Sequence, residues 1–148
     1  MSDIDPNLLR DIIMDHYSYP RNKELVDNQE YSSRHMASDS CIDDITVQSL
    51  IKDGKIEDVR FDGVACTIST ASTSIMTELV KGKTLDEAKE IIDNYFAMVD
   101  QKEYDEDLLE EAVAFQNVGK QANRIKCATI GWKAMDEMIE EEKGNTHE

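Results

Sequence analysis

Four side chains in this sequence are of the types that hold a metal ion or carry sulfur: Cys41, Asp43, Cys66 and Cys127. Cys41 and Asp43 are two residues apart, so in an extended loop both point the same way. Cys66 follows Gly63-Val64-Ala65, where an alternating pattern gives way to a helical one. At that junction unpaired amide N–H groups and the helix dipole favour an anion, and a thiolate is expected. Asn123 reads as a helix N-cap, which predicts Cys127 in a first helical turn, again at a positive end. Arg124, three residues before Cys127 on the same face, is the candidate counter-charge. Three thiols and a carboxylate suit tetrahedral zinc or iron, the carboxylate being the harder and more exchangeable ligand.

Packing is the competing account of the same residues. Unpaired cysteine is among the most often buried residue types. Cys66 (beside Val64 and Ala65) and Cys127 (beside Ile125 and Ala128) each read alone as core more readily than as ligand. Cys41, next to Ser40 and close to Asp43, does not. The spacing is not a paired CxxC pattern, so spacing alone leaves both accounts open. His16, near the end of an amphipathic helix, is expected to be a helix-end or packing residue and not a ligand.

The elements that must position these groups follow from pattern. Asp5-Pro6 is an N-cap followed by proline at the first helical position, and Leu8, Leu9, Ile12, Ile13 and Tyr17 fall at helical spacing before Pro20. Residues 31–40 read as extended and then loop. Residues 45–52 alternate, Asp53-Gly54 is a two-residue hairpin signal, and residues 55–62 form the returning strand with Val59 and Phe61 on one side. This meander presents Cys41 at its first loop and Cys66 at its last end. A helix rich in Ser and Thr, with Ile75, Met76, Leu79 and Val80, runs from Cys66 to a C-cap at Gly82. Thr84-Leu85-Asp86-Glu87 is a capping box opening a helix with a stripe from Leu85 to Val99. Residues 108–115 are expected as a short helix. A last helix capped by Asn123 buries Ile125, Ala128, Trp132, Met135 and Ile139, and residues 141–148 form an acidic, frayed end.

The whole chain bounds the function. Its 148 residues suit one domain with a real core. A formal net charge of -16 disfavours nucleic acid and anionic membrane surfaces, which would repel it. No apolar run approaches the roughly 20 residues needed to cross a bilayer. Asp3 and Asp5 stand where an export leader would be apolar, and an odd number of cysteines argues against a disulfide framework. Reduced thiols in a cytoplasmic protein are therefore expected.

Several stretches together resemble the IscU/NifU-like iron–sulfur cluster assembly family. They are Met14-Asp15-His16-Tyr17 with Pro20-Arg21-Asn22-Lys23, Cys41-x-Asp43, Gly63-x-x-Cys66-x-Ile68-Ser69-x-Ala71-Ser72, and Arg124-Ile125-Lys126-Cys127-Ala128-Thr129. The resemblance spans residues 7–142 and is closest to the SufU branch. It implies an α+β domain in which a small three-stranded antiparallel sheet packs against about five helices, with Cys41, Asp43, Cys66 and Cys127 converging as ligands. Scaffold-type members carry histidine before the third cysteine, where this chain has Lys126. Residues 99–117 resemble the extra segment of the SufU branch.

That branch implies zinc at the site and a sulfurtransferase-type role, accepting persulfide sulfur from a SufS-type cysteine desulfurase with Cys41 as the acceptor. One departure is Ile42, which stands where the family has glycine; a β-branched residue resists positive φ. The alternative within the family is a scaffold that builds a transient [2Fe–2S] cluster on the same ligands for apo-acceptor proteins. An acidic binding module with packing cysteines is the reading outside the family.

Overall fold

The computed structural model describes residues 5–37 and 42–146. Cys41, and with it residues 38–40, lies outside that range. The helices are α1 (Pro6–Ser18), α2 (Thr67–Val80), α3 (Leu85–Val99), α4 (Glu106–Leu109) and α5 (Ala122–Thr146); the strands are β1 (Ser32–Ala37), β2 (Asp44–Lys52) and β3 (Lys55–Val64). The strands form one antiparallel sheet in the order β1-β2-β3. The α+β class read from the sequence is therefore the class of the protein.

Local chemistry accounts for most boundaries. Asp5 caps α1 by accepting the Asn7 N–H at 2.9 Å, with Pro6 at the first helical position. Asp53 and Gly54 both have positive φ, 53° and 74°, the primed-turn backbone that matches the twist of β2 and β3. Thr84 and Glu87 close the capping box of α3 in both directions. Gly63, at φ 134°, lets β3 close tightly on β2: an added Cβ would meet the Asp44 carbonyl oxygen at 2.2 Å.

Helix α2 is the hub. It packs against α1, α3, α5, β3 and the 3-10 segment Glu110–Phe115. It buries Ile75, Met76, Leu79 and Val80 together with six hydroxyl residues, Ser69, Thr70, Ser72, Thr73, Ser74 and Thr77. Their small size permits close helix crossing, and Gly131 of α5 completes it, since a Cβ there would lie 2.4 Å from the Thr73 hydroxyl. Tyr95 and Trp132 stack with ring centroids 3.7 Å apart in the core between α3 and α5.

Four sequence expectations change. Asn123 is not the cap of α5: a 3-10 turn at Val118–Lys120 runs into the helix, which begins at Ala122, so Asn123 lies within its first turn. Cys127 therefore falls in the second turn. The helix expected at 108–115 is split into α4 and a 3-10 segment at Glu110, whose φ is 46°. The break lets Leu109 and four successive residues, Ala112 to Phe115, all turn inward, which one α-helical stripe could not do. On α1, Leu8 and Tyr17 of the expected apolar face are exposed at 52% and 43% while His16 is buried. The acidic end continues as helix through Thr146 and is held by cations, with Arg34 on Glu141 at 2.9 Å and Lys143 on Asp86 at 2.9 Å.

Candidate metal centre

The centre is assembled from three elements that end at the same place. Asp44 pairs with Val64 in the β2–β3 register, so Asp43 and Cys66 lie just beyond the paired ends of the two strands. The Cys66 N–H donates to Asp43 Oδ1 at 2.8 Å. Cys66 is itself the N-cap of α2, its sulfur accepting the Ser69 N–H at 3.4 Å. Cysteine is not a usual cap, but the position offers a sulfur the same amide donors that serine or aspartate would take. The third element is α5. The Ser69 hydroxyl lies 3.0 Å from the Cys127 carbonyl oxygen, and Ser72 donates to the Ala128 carbonyl at 2.6 Å, fixing that turn against α2.

Asp43, Cys66 and Cys127 thereby bring one carboxylate oxygen and two sulfurs within 4.8 Å of one another. Neither sulfur is in a disulfide. Asp43 and Cys127 are buried, at 1% and 5% exposure, and Cys66 is half-buried. Ligand atoms around a tetrahedral zinc with sulfur at about 2.3 Å stand roughly 3.5–4 Å apart, so a small contraction would bring this set to bonding geometry. Two sulfurs and a carboxylate are also the right donor types, and the residues present fit zinc or an iron–sulfur centre. A buried carboxylate beside two thiols has a desolvation cost that a bound cation would offset. Two large apolar residues close in sequence to the centre are exposed, Ile42 beside Asp43 at 66% and Val64 two residues before Cys66 at 65%.

The other candidates fall as follows. Cys41, expected as fourth ligand and sulfur acceptor, is outside the described residues. Arg124 is exposed in the first turn of α5, on the wall of a groove shared with Thr67 and Ile68 next to Cys66. Cys127, expected in a first helical turn, lies in the second turn of α5, past the unpaired amides. Cys66, by contrast, is at the cap of its helix. Lys126 is exposed. His16 packs away from the centre, with Nδ1 2.8 Å from the Ser74 hydroxyl and Nε2 2.9 Å from Glu111 Oε1, joining α1 to α2 and the 3-10 segment. In the sequence Ser69 stands only among the Ser and Thr residues of the helix after Cys66, with no role of its own. Its signal was its place three residues after a helix cap, where a side chain turns back toward the cap.

Known proteins resemble this chain over most of its length. The NifU-like N terminal domain family matches residues 8–146. The zinc-dependent sulfurtransferase SufU of Bacillus subtilis (strain 168) is 38% identical over 138 residues, covering 93% of this chain and 92% of that protein. The iron–sulfur cluster assembly scaffold protein IscU of Streptococcus pyogenes serotype M1 is 35% identical over 137 residues, covering 92% and 85%. The crystal structure of FiSufU from Fervidobacterium islandicum AW-1 superposes with a TM-score of 0.77 at 34% identity, covering 84% of this chain and 91% of that one. With the fold, the converging thiols and a family match across nearly its whole length, this chain belongs to the NifU-like N-terminal domain family.

Proposed function

We propose that this protein works in iron–sulfur cluster assembly as a sulfur acceptor for a SufS-type cysteine desulfurase, at a zinc site formed by Cys41, Asp43, Cys66 and Cys127. The observation that carries the reading is the convergence of Asp43, Cys66 and Cys127 within 4.8 Å, in a chain 38% identical to a zinc-dependent sulfurtransferase. Lys126, where scaffold-type members have histidine, favours the same branch. On this reading the chain is one NifU-like domain with a SufU-type segment at 99–117, acting in the cytoplasm. Among the described residues no helix is long and apolar enough to cross a membrane.

Bound zinc would supply a Lewis acid that keeps its sulfur ligands deprotonated at neutral pH. The chain's own groups do the rest. Asp43, held by the Cys66 N–H, is the exchangeable ligand, while Cys66 and Cys127 sit on helices packed in the core. Cys41, in the polar stretch before Asp43, is the nucleophile. Its thiolate attacks the outer sulfur of the desulfurase persulfide, the S–S bond breaks, and the desulfurase cysteine leaves as a thiolate. Cys41 is left as the persulfide, and no external oxidant or reductant is consumed. Arg124, on the groove beside Cys66, is the counter-charge to the thiolate. Exposed Ile42 and Val64 supply apolar area for a partner at the rim of the site.

Protein purified without added metal should carry one zinc and no labile sulfide, and should accelerate cysteine turnover by the desulfurase. Cys41→Ala should abolish that stimulation with the fold intact. Wild-type stimulation by Cys41→Ala would remove the acceptor assignment. The second reading takes support from the 35% identity to an IscU scaffold: a [2Fe–2S] cluster, as cargo, built on the same ligands and released to apo-acceptor proteins. An iron–sulfur chromophore in place of zinc, transferable to an apo-acceptor, would favour it.

A further inference from the structure

One buried residue touches all three described members of the centre. Ser69 is fully buried, and its hydroxyl makes a close contact with Asp43 Oδ2. The same oxygen is 3.0 Å from the Cys127 carbonyl and 3.5 Å from the Cys66 sulfur, and the Ser69 amide donates to that sulfur at 3.4 Å. A serine hydroxyl has one proton to give. The carboxylate is the closer and the charged acceptor, so the proton goes there in preference to the Cys127 carbonyl.

We infer that Ser69 is the positioning residue of the metal centre, its hydroxyl fixing the orientation of the Asp43 carboxylate toward the two cysteine sulfurs. Asp43 is held at both oxygens, Oδ1 by the Cys66 N–H and Oδ2 by Ser69. Two donors from the first turn of one helix prevent the carboxylate from rotating, and they leave each oxygen a second lone pair for a cation. The backbone that supplies the first donor also carries the first thiol. Asp43 and Cys66 are thus presented as one unit at the start of α2, with the Ser69 hydroxyl packed 3.0 Å from the Cys127 carbonyl oxygen of α5. The inference rests on the metal-site reading and adds to it a residue that would bind no metal itself.

Zinc affinity, measured on the full chain by competition with a chromogenic chelator, tests the idea. Ser69→Ala should weaken zinc about 10- to 100-fold, the usual effect of removing a group that orients a ligand. Ser74→Ala, which deletes a buried hydroxyl of the same helix bonded to His16 and Arg21, should leave affinity within about threefold, as changes away from the ligands do. The decisive comparison uses Asp43→Ala as background, where Ser69→Ala should cause no further loss. Equal losses in both backgrounds, or no loss in the wild-type background, would overturn the inference. If Ser69→Ala alone does not fold, the Asp43→Ala/Ser69→Ala pair should, since removing both partners leaves no buried charge without a donor. A wild type that binds no zinc would overturn the metal-site reading and this inference with it; a wild type that binds zinc as tightly as Ser69→Ala would overturn the inference alone.

Discussion

Two buried carboxylates on the β2–β3 sheet are held in different company. Asp58, toward the hairpin, accepts the Tyr31 hydroxyl at 2.6 Å and Arg60 Nε at 2.7 Å, and lies 3.2 Å from Lys81 Nζ. Burial works against its charge, but the Tyr31 hydroxyl and the two cations together hold its carboxyl below the ordinary value of 3.8. Asp43, beyond the other end of the strands, is held by a backbone N–H and a serine hydroxyl and shares its space with two cysteine sulfurs. One carboxylate sits in a strut that ties the segment before β1 to β3 and the end of α2. The other stands among atoms that metals bind. Burial of an acidic group therefore does not mark a site; the chemistry of its neighbours does.

That contrast can be broken by substitution. Cys66→Ala or Cys127→Ala should abolish stoichiometric zinc binding, a loss above about 100-fold, whereas Asp58→Asn should bind zinc like the wild type. Metal analysis of the three purified variants checks this. Zinc loss from Asp58→Asn would mean the two regions are not independent. Chelation should come next in size. With zinc at about 1,000 times its dissociation constant, removal would cost the wild type about 4 kcal/mol of stability, and Cys66→Ala should show no response to chelator. Thermal unfolding with and without chelator reads both.

Smaller effects sharpen the other half of the comparison. Asp58→Ala should destabilise by about 1–2 kcal/mol, because Arg60 and Lys81 are partly exposed and water recovers much of their solvation. Denaturant unfolding measures it, and zinc content should not change. The smallest effect is in pH. The Asp58 carboxyl is depressed in the folded state, so its contribution is full above the unfolded value of 3.8 and fades as pH falls through the lower folded value. The stability gap between wild type and Asp58→Asn should accordingly narrow as pH falls through 3.8 toward the lower folded value. A gap that stayed constant would mean the strut works by packing, not charge.

Legibility divides along the same line. The Asp53-Gly54 turn, the Thr84 box and the Cys66 junction depend on a few adjacent residues, and each stands where the sequence places it. The start of α5 does not. Asn123 is a good cap by type, but the 3-10 turn from Val118 brings the chain into helix before reaching it. The inward turn of His16 depends on Ser74 and Glu111, which are distant in the chain, so no local pattern announces it. In the centre, the thiols and the carboxylate are visible as residue types. The role of Ser69 is not, because its contacts come from three segments whose proximity only the assembled fold creates. Helical periodicity says that a serine is buried without saying what it faces.

The hydroxyls gathered on α5 have a consequence of their own. Ser72 and Tyr95 both donate to the Ala128 carbonyl at 2.6 Å, and the Trp132 indole N–H reaches Ser72 at 2.9 Å. A helix packed only by aliphatic contacts can slide along its axis at little cost, since one methyl resembles the next. A slip of one residue would move Cys127 by about 1.5 Å, enough to spoil a metal–sulfur bond. Directional bonds from two neighbouring helices to a single carbonyl act as a detent against that slip. The polar core thus gives α5 a fixed axial setting, and with it a fixed reach for the cysteine one residue before.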